Sequence, residues 1–198
     1  MPPARPRPPP SGAAAAAAKE QKEIAKWWKK QHAEKVTLRA HGWVFPPATF
    51  DVEVAPGWDV QAAVDACRPG GCVLLLPGKH KGPMVLRTGK DVHVFGRGRA
   101  TLQTAAGEVI TSSSDASTID GLIVRTGAHA SGSGHYGILI TAGRLRVQAC
   151  DVSSQSRSGI CVRGPAADPN IVDCKVHDCA RANIEFSGGC QGTADHCT

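Results

Sequence analysis

The sequence has no hydrophobic run approaching the length of a membrane span. Its one apolar stretch near the start, residues 13–18, is alanine alone, too short and too weakly hydrophobic for a secretory signal. Its eight cysteines include no Cys-x-x-Cys pair; the local spacings are five (Cys67 to Cys72, Cys174 to Cys179) and seven (Cys190 to Cys197), which disfavours a zinc site. No metal or cofactor is therefore expected. Without a signal peptide an intracellular protein with free thiols is favoured, and a Cys67–Cys72 bridge across the intervening Pro-Gly turn is expected only in an oxidising compartment. Acids are missing before Glu20, and an acid-poor, Arg-bearing start leaves an organelle transit peptide open, although serine is nearly absent from it.

The charge is unevenly placed. Residues 1–49 hold nine Lys/Arg against three acids, whereas residues 50–198 hold fourteen of each, so the net excess of +6 sits in the first quarter. A neutral body argues against nucleic acid lying along it, because neutralising phosphates is the main source of such affinity. Residues 1–18, rich in Pro, Ala and Arg, contain nothing that could pack a core and read as a disordered tail. Residues 19–41 are the one good long helix former: Ile24, Trp27 and Trp28 make a narrow apolar stripe among lysines. This basic arm suits an anionic membrane or an acidic partner, or more simply a cover for the end of a repeat domain. Residues 43–45 and 50–54 read as short strands separated by Pro46 and Pro47.

What the rest of the chain has is a repeat. An apolar residue, two others, an apolar residue or Cys, one other and a further apolar residue recur as Ile119, Leu122, Val124, then Val147, Cys150, Val152, then Ile171, Cys174, Val176. A last copy begins at Ala194 and Cys197, and the period is 23 to 28 residues. Units of this size cannot bury their apolar side alone and must stack, which makes a solenoid. A second set, residues 138–140, 160–162 and 184–186, alternates with period two and carries β-branched residues, hence strands. A leucine-rich repeat has a similar signature, but Leu is scarce and the far side of each unit is a second strand, not a helix. The expected fold is an all-β solenoid, a parallel β-helix of about four to five coils with two strands per unit, over residues 50–198.

Before the repeats, Asp59 can cap a short helix whose Val60, Ala63, Val64 and Cys67 share a face. Pro69, Gly70 and Gly71 end it, and residues 73–76 form a buried strand stopped by Pro77 and Gly78. This arrangement resembles the N-terminal cap and first coil of the pectin-lyase-like, right-handed parallel β-helix superfamily. Residues 117–124 are similar to that superfamily's strand-turn-strand motif. The resemblance runs from about residue 50 to residue 198 and implies a fold, not an activity: polysaccharide lyases, hydrolases, epimerases, phage tailspikes and the substrate-binding part of some F-box proteins share it. The lyases' calcium motif and the hydrolases' multiple-Asp motif have no match here.

Two columns order the coils. One runs Val94, Ile119, Val147, Ile171, Ala194, the other Leu86, Ile110, Ile138, Ile160, Ile184, and both contain one 28-residue step. The extra residues fall in residues 126–134, predicting a protruding loop that carries His129 and is followed by His135 and Tyr136. The outward column beside the second set reads Arg87, Thr111, Leu139, Cys161, Glu185, with one acid. Beside the first set it reads Phe95, Asp120, Gln148, Val172, Asp195, with acids three coils apart, so no adjacent pair for acid–base chemistry is expected. Asp151 and Lys175 share a column. Arg157 and Arg181, 24 residues apart, should stack one coil apart and suit an anionic sugar or phosphate. His177, Asp178 and Cys179 are neighbours that should diverge on an extended strand, and residues 96–98 lack the context of a dinucleotide site. Cys150, Cys174 and Cys197 share a column as stacked free thiols.

The expected function is a non-catalytic scaffold binding carbohydrate or protein, with His129, His135, Tyr136, Arg157, Arg181 and Glu185 as its contact residues. The alternative is a polysaccharide lyase, hydrolase or epimerase whose acids lie on other loops or on further coils, since the last repeat breaks off as in a fragment of a longer β-helix.

Overall fold

A computed structural model describes residues 47, 49–127 and 134–198. The chain divides into two units at Trp43 and Val44, and the described residues all lie in the second. The tail, the basic arm and the strand expected at residues 43–45 lie outside the described residues, as does the interior of the loop with His129.

The second unit is a parallel solenoid with three ladders per turn. The first ladder stacks β1 (Val52–Val54), β2 (Gly71–Leu75), the start of β5 (Val92–Thr104), the start of β7 (Thr118–Thr126), β9 (Arg146–Gln148), β12 (Asn170–Val172) and β15 (Thr193–Asp195). The second holds β3 (Gly78–Lys81), the ends of β5 and β7, β10 (Asp151–Ser154) and β13 (Lys175–Val176). The third holds β4 (Met84–Leu86), β6 (Ile110–Ser112), β8 (Ile138–Ile140), β11 (Ile160–Arg163) and β14 (Ile184–Ser187). There are about six turns, not four to five. The first column runs as expected from Val94 to Ala194 but also reaches back through Val73 to Val52, so the segment read as a cap is itself coiled.

The expectation of two strands per turn hid a corner. Within each repeat, Ile171 lies in the first ladder and Val176 in the second, with Cys174 just past the bend. On the last four coils one left-handed residue makes that bend, Gly121 (φ 64°), Ala149 (50°), Asp173 (52°) and His196 (50°), while β5 uses two in succession, Arg97 (50°) and Gly98 (71°). A single such residue redirects the strand without the Gly-Pro punctuation by which corners are recognised. Glycine suits the Gly121 position doubly, since a Cβ there would lie 3.0 Å from the Gly98 amide nitrogen.

The third ladder's column is Met84, Ile110, Ile138, Ile160, Ile184, in place of one starting at Leu86. Leu86 pairs with Ser112, in line with Ile140, Val162 and Phe186. Met84 and Leu86 both point inward on one strand, so alternation alone cannot choose between them. The outward column consequently begins at Val85, and Arg87 lies beyond β4, pairing with Asp65 at 3.3 Å. Isoleucines 110, 138 and 160 line a common interior wall with no exposure.

The helix α1 (Val60–Ala66) forms as its cap predicts: the Ala62 amide donates to Asp59 Oδ1 at 3.0 Å, while Val60, Val64 and Cys67 are buried. It also shields the edge of β4, because Gln61 Oε1 accepts from the Val85 amide at 2.6 Å and Gln61 Nε2 donates to the Val85 carbonyl at 3.3 Å. All eight cysteines are free thiols, Cys67 and Cys72 included, and no helix among the described residues is long and apolar enough to cross a membrane.

Candidate functional site

The outward side of the second ladder carries one axial column, Lys81, Gln103, Arg125 and Ser153, in register on four successive coils. It floors an open groove of about 750 Å³ whose sides are the turns at residues 104–106, Thr126, Gly127 and Gln155. Thr126 and Gly127 are the base of the expected loop. A second hollow of about 420 Å³, lined by Trp58, Asp59 and Gln61, shares Lys81 and Gly82 with the first, so the depression continues toward the helical end. The Trp58 side is open to solvent, the residue being 52% exposed.

Beside the groove an ionic cluster links three coils. Arg125 Nη2 donates to Asp151 Oδ1 at 2.5 Å and Arg125 Nη1 to the Asp151 carbonyl at 2.8 Å. His177 Nε2 lies 3.0 Å from the same Oδ1, and His177 Nδ1 lies 2.7 Å from Asp178 Oδ2. Partial burial pushes the Asp151 carboxyl up, but the hydrogen bonds from Arg125 and His177 outweigh it and hold the group below the usual carboxylate range. Asp151 and Lys175 do pair in register, yet the carboxylate serves Arg125 and His177.

This cluster corrects the expectation that His177 and Asp178 diverge, whereas Cys179 does turn away from them. Strand β13 stops at Val176, and a left-handed Asp178 (φ 50°) folds its carboxylate back onto the imidazole, while Cys179 packs against the core. Spacing held a partial signal, since Arg125 and Ser153 differ by the same 28 residues as the long step. Contact between coils is what joins Arg125 to His177, through Asp151.

Of the residues singled out in the sequence, His135, Tyr136, Arg157, Arg181 and Glu185 lie together on three consecutive coils, at the turns entering the third ladder and on its last strand; His129 lies outside the described residues. The Arg157 guanidinium sits 4.9 Å above the Tyr136 ring, and Ser158 Oγ donates to Glu185 Oε2 at 2.6 Å. His135 Nδ1 is 3.6 Å from Glu108 Oε1. Tyr136 is only 2% exposed, so it supports Arg157 from below, and burial pushes its phenol and the neighbouring Cys161 thiol up.

Asp120, an outward acid, is 1% exposed and accepts from Gln148 Nε2 at 2.8 Å, so it does not face a ligand. Phe95 in the same column is covered by Phe50, ring centroids 5.5 Å apart. Among the described residues no three His, Cys, Asp or Glu side chains are grouped to hold a metal ion.

Three stacked parallel ladders around one apolar interior define a parallel β-helix. A family model described as right handed beta helix region matches residues 106–198, which identifies these coils as right-handed β-helix repeats consistent with the pectin-lyase-like architecture. No curated protein sequence matches the chain.

Proposed function

We propose that the protein is a binding module, a β-helix scaffold that holds an extended carbohydrate or protein segment along the groove over Lys81, Gln103, Arg125 and Ser153. The observation that carries this reading is the groove's direction. It follows the solenoid axis over four coils, so an elongated ligand meets equivalent backbone positions at each step. Polar side chains line it, and Lys81 supplies a cation where it meets the Trp58 hollow. The test is a glycan and peptide array probed with the whole chain, followed by Lys81→Gln and Gln103→Ala. Loss of a captured ligand in these variants, with an unchanged melting curve, supports the reading, and capture indifferent to both refutes it.

A second reading, a carbohydrate-active enzyme, is favoured by one observation: a histidine between two carboxylates and an arginine borders the same groove. Turnover of pectin, alginate or chondroitin, with and without calcium, that disappears in His177→Gln would establish it over the scaffold.

A further inference from the structure

Cys150, Cys174 and Cys197 each follow the left-handed corner residue of their coil, Ala149, Asp173 and His196, and leave the bend in the same direction. Each thiol donates to a carbonyl of the coil before it: Cys150 to Ile119 at 3.8 Å, Cys174 to Val147 at 3.6 Å and Cys197 to Ile171 at 3.8 Å. Backbone bonds hold the last two cysteines in direct register, since the Asp173 amide donates to the Asp195 carbonyl at 3.0 Å and the Thr198 amide to the Cys174 carbonyl at 3.0 Å. The Cys174 thiol is in hydrogen-bonding contact with the thiols of both Cys150 and Cys197. Stacked positions lie roughly 4.8 Å apart, inside the roughly 4.4–6.8 Å between Cα atoms that a disulfide spans. Side chains leaving adjacent coils in parallel keep their Cβ atoms about as far apart as the coils, beyond the roughly 3.5–4.5 Å of a relaxed bridge, so a bond here is a readily reduced one. Access separates the two pairs. Cys150 and Cys174 are each 1% exposed, whereas Cys197 is only partly buried, so an oxidant meets the column at Cys197 with Cys174 directly beneath it. The coil that carries Cys197 is loosely packed: Phe186 is 41% exposed and all three residues of β15 are exposed.

We propose that Cys174 and Cys197 are a redox-sensitive clasp, which a low-molecular-weight disulfide such as oxidised glutathione closes into a reversible bond that fastens the coil of β14 and β15 to the one before it. The Cys197 thiolate attacks the small disulfide and releases one glutathione. The Cys174 thiolate then attacks the Cys197 sulfur of that mixed disulfide and releases the second. Two protein thiols are oxidised, one small disulfide is reduced, and the two thiol protons end on two glutathione thiols. Contact with Cys174, and then burial, raise the Cys197 thiol well above its ordinary value, so thiolate is scarce and the exchange takes on the order of hours.

The experiment equilibrates the full chain in glutathione buffers of increasing oxidised fraction, blocks the remaining thiols with iodoacetamide in denaturant, and maps disulfide-linked peptides by mass spectrometry. A Cys174–Cys197 link should grow with the oxidised fraction and vanish after dithiothreitol. Amide exchange of residues 184–187 and 193–195 should slow about tenfold in the oxidised chain, less than an unstrained loop closure would give, while that of residues 110–112 stays unchanged. Cys174→Ser should stop at the mixed disulfide on Cys197. Cys197→Ser should leave Cys174 a free thiol, and because position 197 is only partly buried this variant decides the matter even where the first does not fold. Absence of the Cys174–Cys197 link at every ratio, a link from Cys174 to Cys150 in its place, or a dimer joined through Cys197 overturns the proposal. A link that leaves exchange of the last coil unaltered overturns the clasp as well.

Discussion

Replacing Ile160 and Phe186 by alanine, separately, tests whether burial in the stacked interior or side-chain size sets the stability of these coils. Ile160 is 0% exposed, centred in the wall between Ile138 and Ile184, so its truncation removes three carbons and leaves a cavity enclosed by neighbouring coils. The expected cost is about 2–5 kcal/mol, with the upper half favoured because coils above and below cannot close the gap. Phe186 occupies an inward position in line with Val162 and Ile140, yet is 41% exposed on the last coil. A fully buried Phe→Ala change costs about 3–5 kcal/mol; with nearly half of the ring already hydrated, about 1–2 kcal/mol is expected. The smaller deletion should therefore destabilise more. Urea unfolding of the full chain gives the midpoints, and amide exchange of β11 and β14 separates loss of one coil from global unfolding, since solenoids need not unfold in two states. A Phe186→Ala penalty equal to or above that of Ile160→Ala would refute the register of the third ladder.

At the corner, Ala149→Gly should be neutral to slightly stabilising, because relief of about 1–2 kcal/mol of left-handed strain offsets glycine's entropy cost, whereas Ala149→Val should destabilise; melting temperatures decide the order. Gly143→Ala should be worse than either, since its Cβ would lie 2.1 Å from the Ser114 carbonyl oxygen at a φ of +74°, and poor soluble expression of this variant is the expected readout. Asp151 has a folded pKa depressed below its unfolded value, so it contributes stability above the unfolded value of about 4 that is lost as pH falls through the folded one. The gap between wild type and Asp151→Asn should accordingly be present at pH 6 and shrink below about pH 4; an unchanged gap at pH 3 contradicts the assignment. Cys174 is 1% exposed and its thiol pKa is raised well above the ordinary value, through its hydrogen bond with Cys150 before burial, so it should resist iodoacetamide in the folded chain and react after denaturation, as mass spectrometry would show.

Much of the solenoid could be read directly from the chain. The first column, Val94 to Ala194, needed only a recurring apolar residue, because every coil must bury that position and a slip by one would turn it to solvent. The cap helix was legible from Asp59 and its apolar face, and the proximity of Arg157 to Arg181 from their matched distance to the following strand. What local pattern could not carry was the second ladder. Its corner is a backbone torsion at Ala149, Asp173 and His196, residue types with no common signature, stabilised by the stack and not by intrinsic preference. The union of Arg125, Asp151 and His177 was equally hidden. These residues are 26 apart in each step and meet through side chains reaching between coils, so only the stacked rise of the solenoid brings them within hydrogen-bonding distance.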